Sequence, residues 1–213
     1  MILIVGCGNL GNYLIKHILA ESDEHILATV RSEKDTVCFP TVEYIRCDVT
    51  VEEDLINLKS KIGDNRVKVF YVAAHHNIDS VYKNTEIARK TNVVGLERFL
   101  NEINNIESLF YASTDCVYGE NTASDCMLTE GSELNPINEY GRQKAEAEDI
   151  ILKRGFNVIR FSLLFGPSLT GRKNFYDILC DNLRAGKKTE MIDGMSRQVL
   201  SYADAAKYMY ELS

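Results

Sequence analysis

The 213-residue sequence predicts an α/β fold, a doubly wound parallel sheet with helices on both faces and a short C-terminal appendage on the substrate side. Two observations carry this expectation. Short apolar, β-branched runs alternate with segments of helical periodicity, without repeats or low-complexity linkers between them. The chain also opens on a strand that breaks at once into a glycine turn and a helix.

The first run, Met1-Ile2-Leu3-Ile4-Val5, leads into Gly6-Cys7-Gly8-Asn9-Leu10-Gly11 and then the helical pattern Leu10, Leu14, Ile18, Leu19. Gly6 permits a tight turn, and Gly8 lets a pyrophosphate approach the helix N-terminus, where Asn9 and Leu10 lie. Gly11 lets helix and strand pack closely, as in a Rossmann-type unit. Further strands are predicted at Ile26–Val30, 42–47, 67–72, 109–112 and Asn157–Phe161, and long helices at 88–103 and 140–153. The gap between the second and third strands carries no helix. Residues 1–165 form the predicted dinucleotide-binding domain, and residues 166–213 a reduced substrate-side segment packed on it. Parallel strands gather ligands at their carboxyl ends, which gives weight to residues 6–11, 31–32, 48–49, 73–76, 113–118 and 162–167.

Tyr140 and Lys144 stand four residues apart at the start of the later helix, on one face. A free tyrosine ionises near pH ~10, and a neighbouring cation favours the phenolate. The pair is therefore expected to exchange a proton with a carbonyl or alcohol near neutrality, although a solvated helix with a chance pair has the same spacing.

Composition narrows the classes. A net charge of -7 disfavours a nucleic-acid partner, and the basic residues from Arg184 to Lys188 read as the charged end of a helix. No apolar run reaches membrane-spanning length, and no basic side chain precedes Lys16, so a cytoplasmic location is predicted. Six scattered cysteines without a CxxC pair read as reduced thiols, with no metal site.

The motifs Gly6-x-Gly8-x-x-Gly11, Asp48, Ala73-Ala74, Asn92 with Gly95, Ser113-Thr114 with Val117 and Gly119, Tyr140 with Lys144, and Arg160 with Gly166-Pro167 occur in order. In this order the chain resembles an extended short-chain dehydrogenase/reductase of the NAD-dependent epimerase/dehydratase family. That resemblance implies Tyr140 as acid/base, Lys144 on the nicotinamide ribose, and Thr114 bonded to the reacting oxygen. It also implies Asp48 and Val49 near the adenine, Ala73 and Ala74 along the cofactor, Ser162 near the nicotinamide, and a homodimer formed through a helix pair. Locally, Ser113-Thr114-Asp115, Tyr140-Gly141-Arg142 and Arg160-x-Ser162 are similar to the dTDP-4-dehydrorhamnose reductase family.

An acidic residue after the second strand would hold the ribose 2′-hydroxyl of NAD. Arg31 stands there instead, with Ser32 and Lys34 close by, and a guanidinium matches a 2′-phosphate. NADP(H) is the preferred cofactor, with NAD(H) as the other possibility. Cys116 replaces the glutamate of 4,6-dehydratases, so dehydration is not expected. It stands where GDP-fucose synthase has a catalytic cysteine, but no histidine follows Gly166-Pro167, and a packing role competes. His75, Asp115, Cys116 and Arg197 are candidate substrate contacts. Asp204 is expected to cap the last helix.

The leading expectation is NADPH-dependent reduction of a nucleotide-linked keto sugar. A nucleotide-sugar epimerase retaining NAD and a non-catalytic dinucleotide sensor or regulatory protein are the alternatives. The family normally continues well past residue 204, so the segment ending at Ser213 suggests a shallow site, one completed by a partner subunit, or a reduced form.

Overall fold

The structure, a computed structural model, describes residues 1–32, 37–119, 128–189, 193 and 198–213. Six strands, β1 (Ile2–Val5), β2 (Ile26–Val30), β3 (Glu43–Arg46), β4 (Val67–Tyr71), β5 (Ile106–Thr114) and β6 (Asn157–Phe161), form one sheet in the order β3-β2-β1-β4-β5-β6. All five pairings are parallel. The helices are α1 (Asn9–Glu21), α2 (Glu52–Ile62), α3 (Ile78–Lys83), α4 (Thr85–Arg89), α5 (Gly95–Glu102), α6 (Glu139–Lys153), α7 (Phe175–Arg184) and α8 (Tyr202–Glu211). Two short strands, β7 (Leu163–Phe165) and β8 (Val199–Ser201), pair in parallel as a second small sheet.

Successive strand residues point to opposite faces, and here both faces are covered, so β1, β2 and β4 read as nearly unbroken apolar runs. Leu3, Val5, Val69, Leu109 and Tyr111 pack under α2, α5 and α6 with Leu55, Leu58, Phe99, Ala147 and Ile151. Ile2, Ile4, Phe70 and Phe110 pack on the other face with Leu14, Ile15 and Ile18 of α1. Helix α8 lies beside α1 and adds Ala205, Ala206 and Met209 to that same core.

The strand order reverses between β1 and β4, which opens a crevice at their carboxyl ends. Gly6 turns the chain there at φ +103°, and a Cβ on it would stand 2.7 Å from the Ala73 backbone beyond β4. A Cβ on Gly11 would come within 2.2 Å of the Gly6 carbonyl oxygen. Both glycines are thus required by contact.

Several boundaries differ from the sequence expectation. β5 runs from Ile106 through Thr114, so Thr114 ends a strand that was predicted to stop at residue 112. The helix predicted over 88–103 is a longer helical run, α4 and α5 joined by a π-helical turn at Lys90–Val94. The cap of α8 is Ser201, not Asp204: Ser201 Oγ accepts the Asp204 N–H and donates to Asp204 Oδ2 at 2.7 Å. Asp204 sits three residues into the helix, where its carboxylate completes the cap.

Candidate active site

Because every strand of the main sheet is parallel, Gly6, Arg31, Asp48, Ala73, Thr114 and Ser162 all fall at its carboxyl edge. The glycine loop is fixed from below: the Gly6 N–H donates to the buried Thr29 Oγ1 (2.9 Å), and Asn12 Nδ2 donates to the carbonyls of Cys7 and Gly8 (3.0 and 2.9 Å). Sequence reasoning passed over Thr29 and Asn12, because a buried polar side chain inside an apolar pattern shows its partner only in three dimensions.

The loop fits a dinucleotide diphosphate on two counts. Helix α1 starts at Gly8 with no side-chain cap and no acidic residue in its first turn, which leaves its positive end for an anion. A Cβ at Gly8 would meet nothing within 4 Å, so the backbone there is open to close approach. The side chain of Asn9 has a further part besides its backbone place in the loop. Its Oδ1 accepts from Ser168 Oγ (2.9 Å) and the Leu169 N–H (3.1 Å), and its side chain also bonds Tyr202. With Tyr13 Oη donating to the Pro167 carbonyl (3.0 Å), these bonds tie the glycine helix to the segment after β7 and leave Asn9 only its backbone for a cofactor.

Asp48 is half-buried, and its Oδ1 accepts from the N–H and hydroxyl of Thr50 (2.9 and 2.7 Å). Val49 is buried in the core and packs against Gly95, whose added Cβ would lie 2.6 Å from a Val49 methyl; its side chain does not reach the edge. Arg31 is exposed just past β2, and Ser32 beside it is exposed as well. Leu10, Ala73, Ala74 and Ser162 are half-buried at their strand and helix ends. Lys34, Cys126 and Arg197 lie outside the described residues. Cys7, Cys47, Cys116 and Cys180 form no disulfide, and among the described residues no cluster could hold a metal.

Thr114 closes β5 and caps the 3-10 turn Asp115–Val117. Its Oγ1 accepts the Cys116 N–H (3.2 Å) and donates to Asp115 Oδ1 (3.1 Å). Helix α6 begins against this turn, capped by Asn138, whose side chain accepts the Gly141 N–H at 2.8 Å. A Cβ on Gly141 would sit 2.4 Å from the Cys116 carbonyl oxygen, so the glycine after Tyr140 is what lets the first turn of α6 pack against the Asp115–Val117 turn.

Lys144 is 1% exposed, and its Nζ donates to the Ala112 carbonyl (2.6 Å) and lies 3.9 Å from the centre of the Tyr111 ring. Burial lowers its pKa to about 7, against a smaller opposing pull from Glu148. The phenol of Tyr140 moves the other way: burial first, then Cys116 and Asp115, hold it above the usual tyrosine value. The expected pairing of ammonium with phenol is therefore not the arrangement found. A buried ammonium needs a hydrogen-bond acceptor, and the nearest is the Ala112 carbonyl on the strand below. Tyr140 is left as a neutral proton donor.

His75 is pinned at both ends. Its Nε2 lies 2.8 Å from Ser80 Oγ, and its backbone N–H and C=O are both held by the Asn92 amide, at 2.7 and 3.0 Å. Asn92 Nδ2 also donates to Gln143 Oε1 (2.9 Å) inside the structure. Asn92 sits in the π-helical turn, a register that inserts one residue into the helix and is common at functional sites. Asn92→Leu would leave the His75 N–H without this acceptor and Gln143 Oε1 without this donor. Urea unfolding should show a loss of roughly 3 kcal/mol.

A second polar cluster, not anticipated in the sequence, backs the site. Glu148, 1% exposed, accepts from Arg160 Nε and Nη2 (3.0 and 2.7 Å) and from Ser113 Oγ. Arg160 Nη1 donates to Tyr118 Oη (2.9 Å) and the Glu130 carbonyl (3.0 Å).

A family model, the RmlD substrate binding domain, matches residues 1–212 of this chain. The chain belongs to that family. Among curated relatives, methionine adenosyltransferase 2 subunit beta of Xenopus tropicalis is 28% identical over 217 residues, covering 99% of this chain and 61% of the relative. The Danio rerio protein of that name is 29% identical across 76% of this chain and 49% of its own length. The chain thus spans about half to three fifths of those relatives. In fold it is similar to UDP-glucose 4-epimerase of Thermotoga maritima, solved with UDP-glucose, at a TM-score of 0.86 and 19% identity, covering 98% of this chain and 72% of that one. The Thermus thermophilus UDP-glucose 4-epimerase, solved with NAD, gives a TM-score of 0.84 at 18% identity, with 99% and 74% covered. Both of these structural neighbours are UDP-glucose 4-epimerases by name, one solved with UDP-glucose and one with NAD, which agrees with the family resemblance seen in the sequence.

Proposed function

We propose that this chain is an NADPH-dependent reductase of a nucleotide-linked keto sugar, with Tyr140 as the proton donor. The observation that carries the reading is the phenol of Tyr140, kept neutral by burial and by Cys116 and Asp115 in the turn that follows Thr114 at the end of β5. Gly6, Gly8, Gly11 and the N-terminus of α1 would hold the diphosphate, Asp48 the adenine side, and Lys144 the ribose nearest the reacting carbon. The dinucleotide, when bound, supplies a hydride. Tyr140 then gives its proton to the substrate oxygen, and Thr114 steadies that oxygen once its hydroxyl turns from Asp115. Substrate contact by His75 acts through a backbone fixed by Asn92. A cytoplasmic homodimer remains part of this reading.

Arg31 is the group proposed to select NADPH, through the 2′-phosphate. Arg31→Ala should weaken NADPH binding by about ten- to a hundredfold and leave NADH nearly unchanged, in titrations of both dinucleotides. Equal losses would end the phosphate role. The reductase reading itself is tested by following NADPH oxidation across keto sugar nucleotides.

A second reading is favoured by the similarity to methionine adenosyltransferase 2 subunit beta along nearly the whole chain. In it, the chain binds a dinucleotide as a regulatory subunit without turning it over. Binding without oxidation across the substrate panel supports that reading, and NAD retained through purification supports an epimerase.

A further inference from the structure

Helix α6 carries three ionisable side chains one turn apart, the half-buried Tyr140 and the buried Lys144 and Glu148. Only the first two carry the chemistry proposed above, and Glu148 touches neither crevice nor glycine loop in any bond found. Its carboxylate is nevertheless fixed from three sides, by two nitrogens of Arg160 and by the hydroxyl of Ser113, next to the strand whose Ala112 carbonyl receives the Lys144 ammonium.

A lysine 1% exposed, with one hydrogen bond and an aromatic ring for company, loses most of the hydration that favours its charge. The groups facing it are few. Tyr111 of β5 lies under the ammonium, and burial above all keeps its phenol protonated. Tyr140 is neutral for the same leading reason, with Asp115 and Cys116 acting on it from the turn after β5. His76, beyond β4, feels the ammonium as a like charge. Arg160 of β6 is a cation held on the far side of Glu148. Glu148 is the one anion among the described residues that acts on Lys144.

We propose that Glu148 is a positioning residue: its carboxylate, fixed by Arg160 and Ser113 one turn from Lys144, keeps that side chain an ammonium available to the dinucleotide. Arg160 then has a second consequence beyond anchoring β6 to α6. By binding Glu148 it holds the carboxylate in one place, so the charge on Lys144 does not depend on a mobile partner. The proposal rests on the reading of Lys144 as part of the site.

The test is a pH titration of Lys144 by its side-chain carbon and nitrogen NMR signals, in protein free of dinucleotide and sugar nucleotide. In the native chain the midpoint is expected near the value set by burial, about 7. In Glu148→Gln it should fall by about one pH unit, which is about tenfold less ammonium at a given pH above the midpoint. Glu148→Asp, which restores the charge, should return the midpoint toward the native one. A folded Glu148→Gln protein with an unmoved Lys144 midpoint overturns the proposal. Should that variant not fold, Arg160→Lys, which loosens the hold on the Glu148 carboxylate, decides the matter: the Lys144 midpoint should move, and an unmoved midpoint in that folded variant overturns the proposal. Since no turnover is involved, failure of the reductase reading leaves this result standing. An inert Glu148 likewise leaves the reductase reading intact.

Discussion

Tyr140→Phe is expected to bind dinucleotide nearly as the native chain does and to lose turnover by on the order of a hundred- to ten-thousand-fold, the range typical for removal of a positioned acid or base. The phenyl ring keeps the packing of the first turn of α6, where Asn138 and Gly141 fix the backbone independently of the hydroxyl. What disappears is one proton at one atom. Burial, followed by Cys116 and Asp115, keeps that proton in place at neutral pH, so the native residue donates and does not accept. Turnover should accordingly persist as pH rises from neutral through the ordinary tyrosine range, until another group limits it. Steady-state kinetics with a parallel dissociation constant for NADPH separates the outcomes. Unchanged turnover removes Tyr140 from the chemistry, and an equal loss of binding makes its role structural.

Lys144→Met is expected to lose the ribose contact and most activity while making the fold more stable. The ammonium is buried, and its pKa falls from 10.5 to about 7. A lysine with a lowered folded-state value binds its proton more weakly when folded than when unfolded. The unfolded chain therefore holds more protons between these two values, and stability rises with pH through that window. At and below pH 7 the penalty is fully present, and converting the interval gives about 5 kcal/mol as an upper bound. Methionine of similar length removes it but leaves the Ala112 carbonyl without its donor, at about 1–3 kcal/mol. The variant should thus be more stable by about 2–4 kcal/mol at pH 7, and the difference should shrink on going to pH 10. Urea unfolding of both proteins at several pH values measures this, and a gap independent of pH would show that Lys144 does not titrate in this range.

The strand-turn-helix opening was legible because it is local. Gly11 is explained by its approach to Gly6 a few residues earlier and Gly6 by its positive φ, while the contact of Gly6 with Ala73 beyond β4 came only with the fold. The alternation of apolar runs and helical periods likewise placed all six strands of the main sheet, most clearly β1, β2 and β4, where burial on both faces leaves a nearly unbroken apolar run. Less legible were the elements whose reason is distant. The π-helical turn at Lys90–Val94 exists where Asn92 meets the His75 backbone, across 17 residues of chain. Glu148 reads as an ordinary helix-surface charge until Arg160 and Ser113 are brought to it from β6 and β5. Asn9 looked like a ligand of the diphosphate, yet its side chain serves a loop some 160 residues later, at Leu169.

By itself, then, the sequence determined the parallel sheet, the glycine loop and the pair Tyr140 and Lys144 on one helical face, because periodicity and spacing are properties of neighbours along the chain. Tertiary structure alone decided which way each proton leans. The Lys144 ammonium turns to Ala112 and answers to Glu148, and the Tyr140 phenol stays neutral, since protonation depends on burial and on charges contributed by strands far away in sequence.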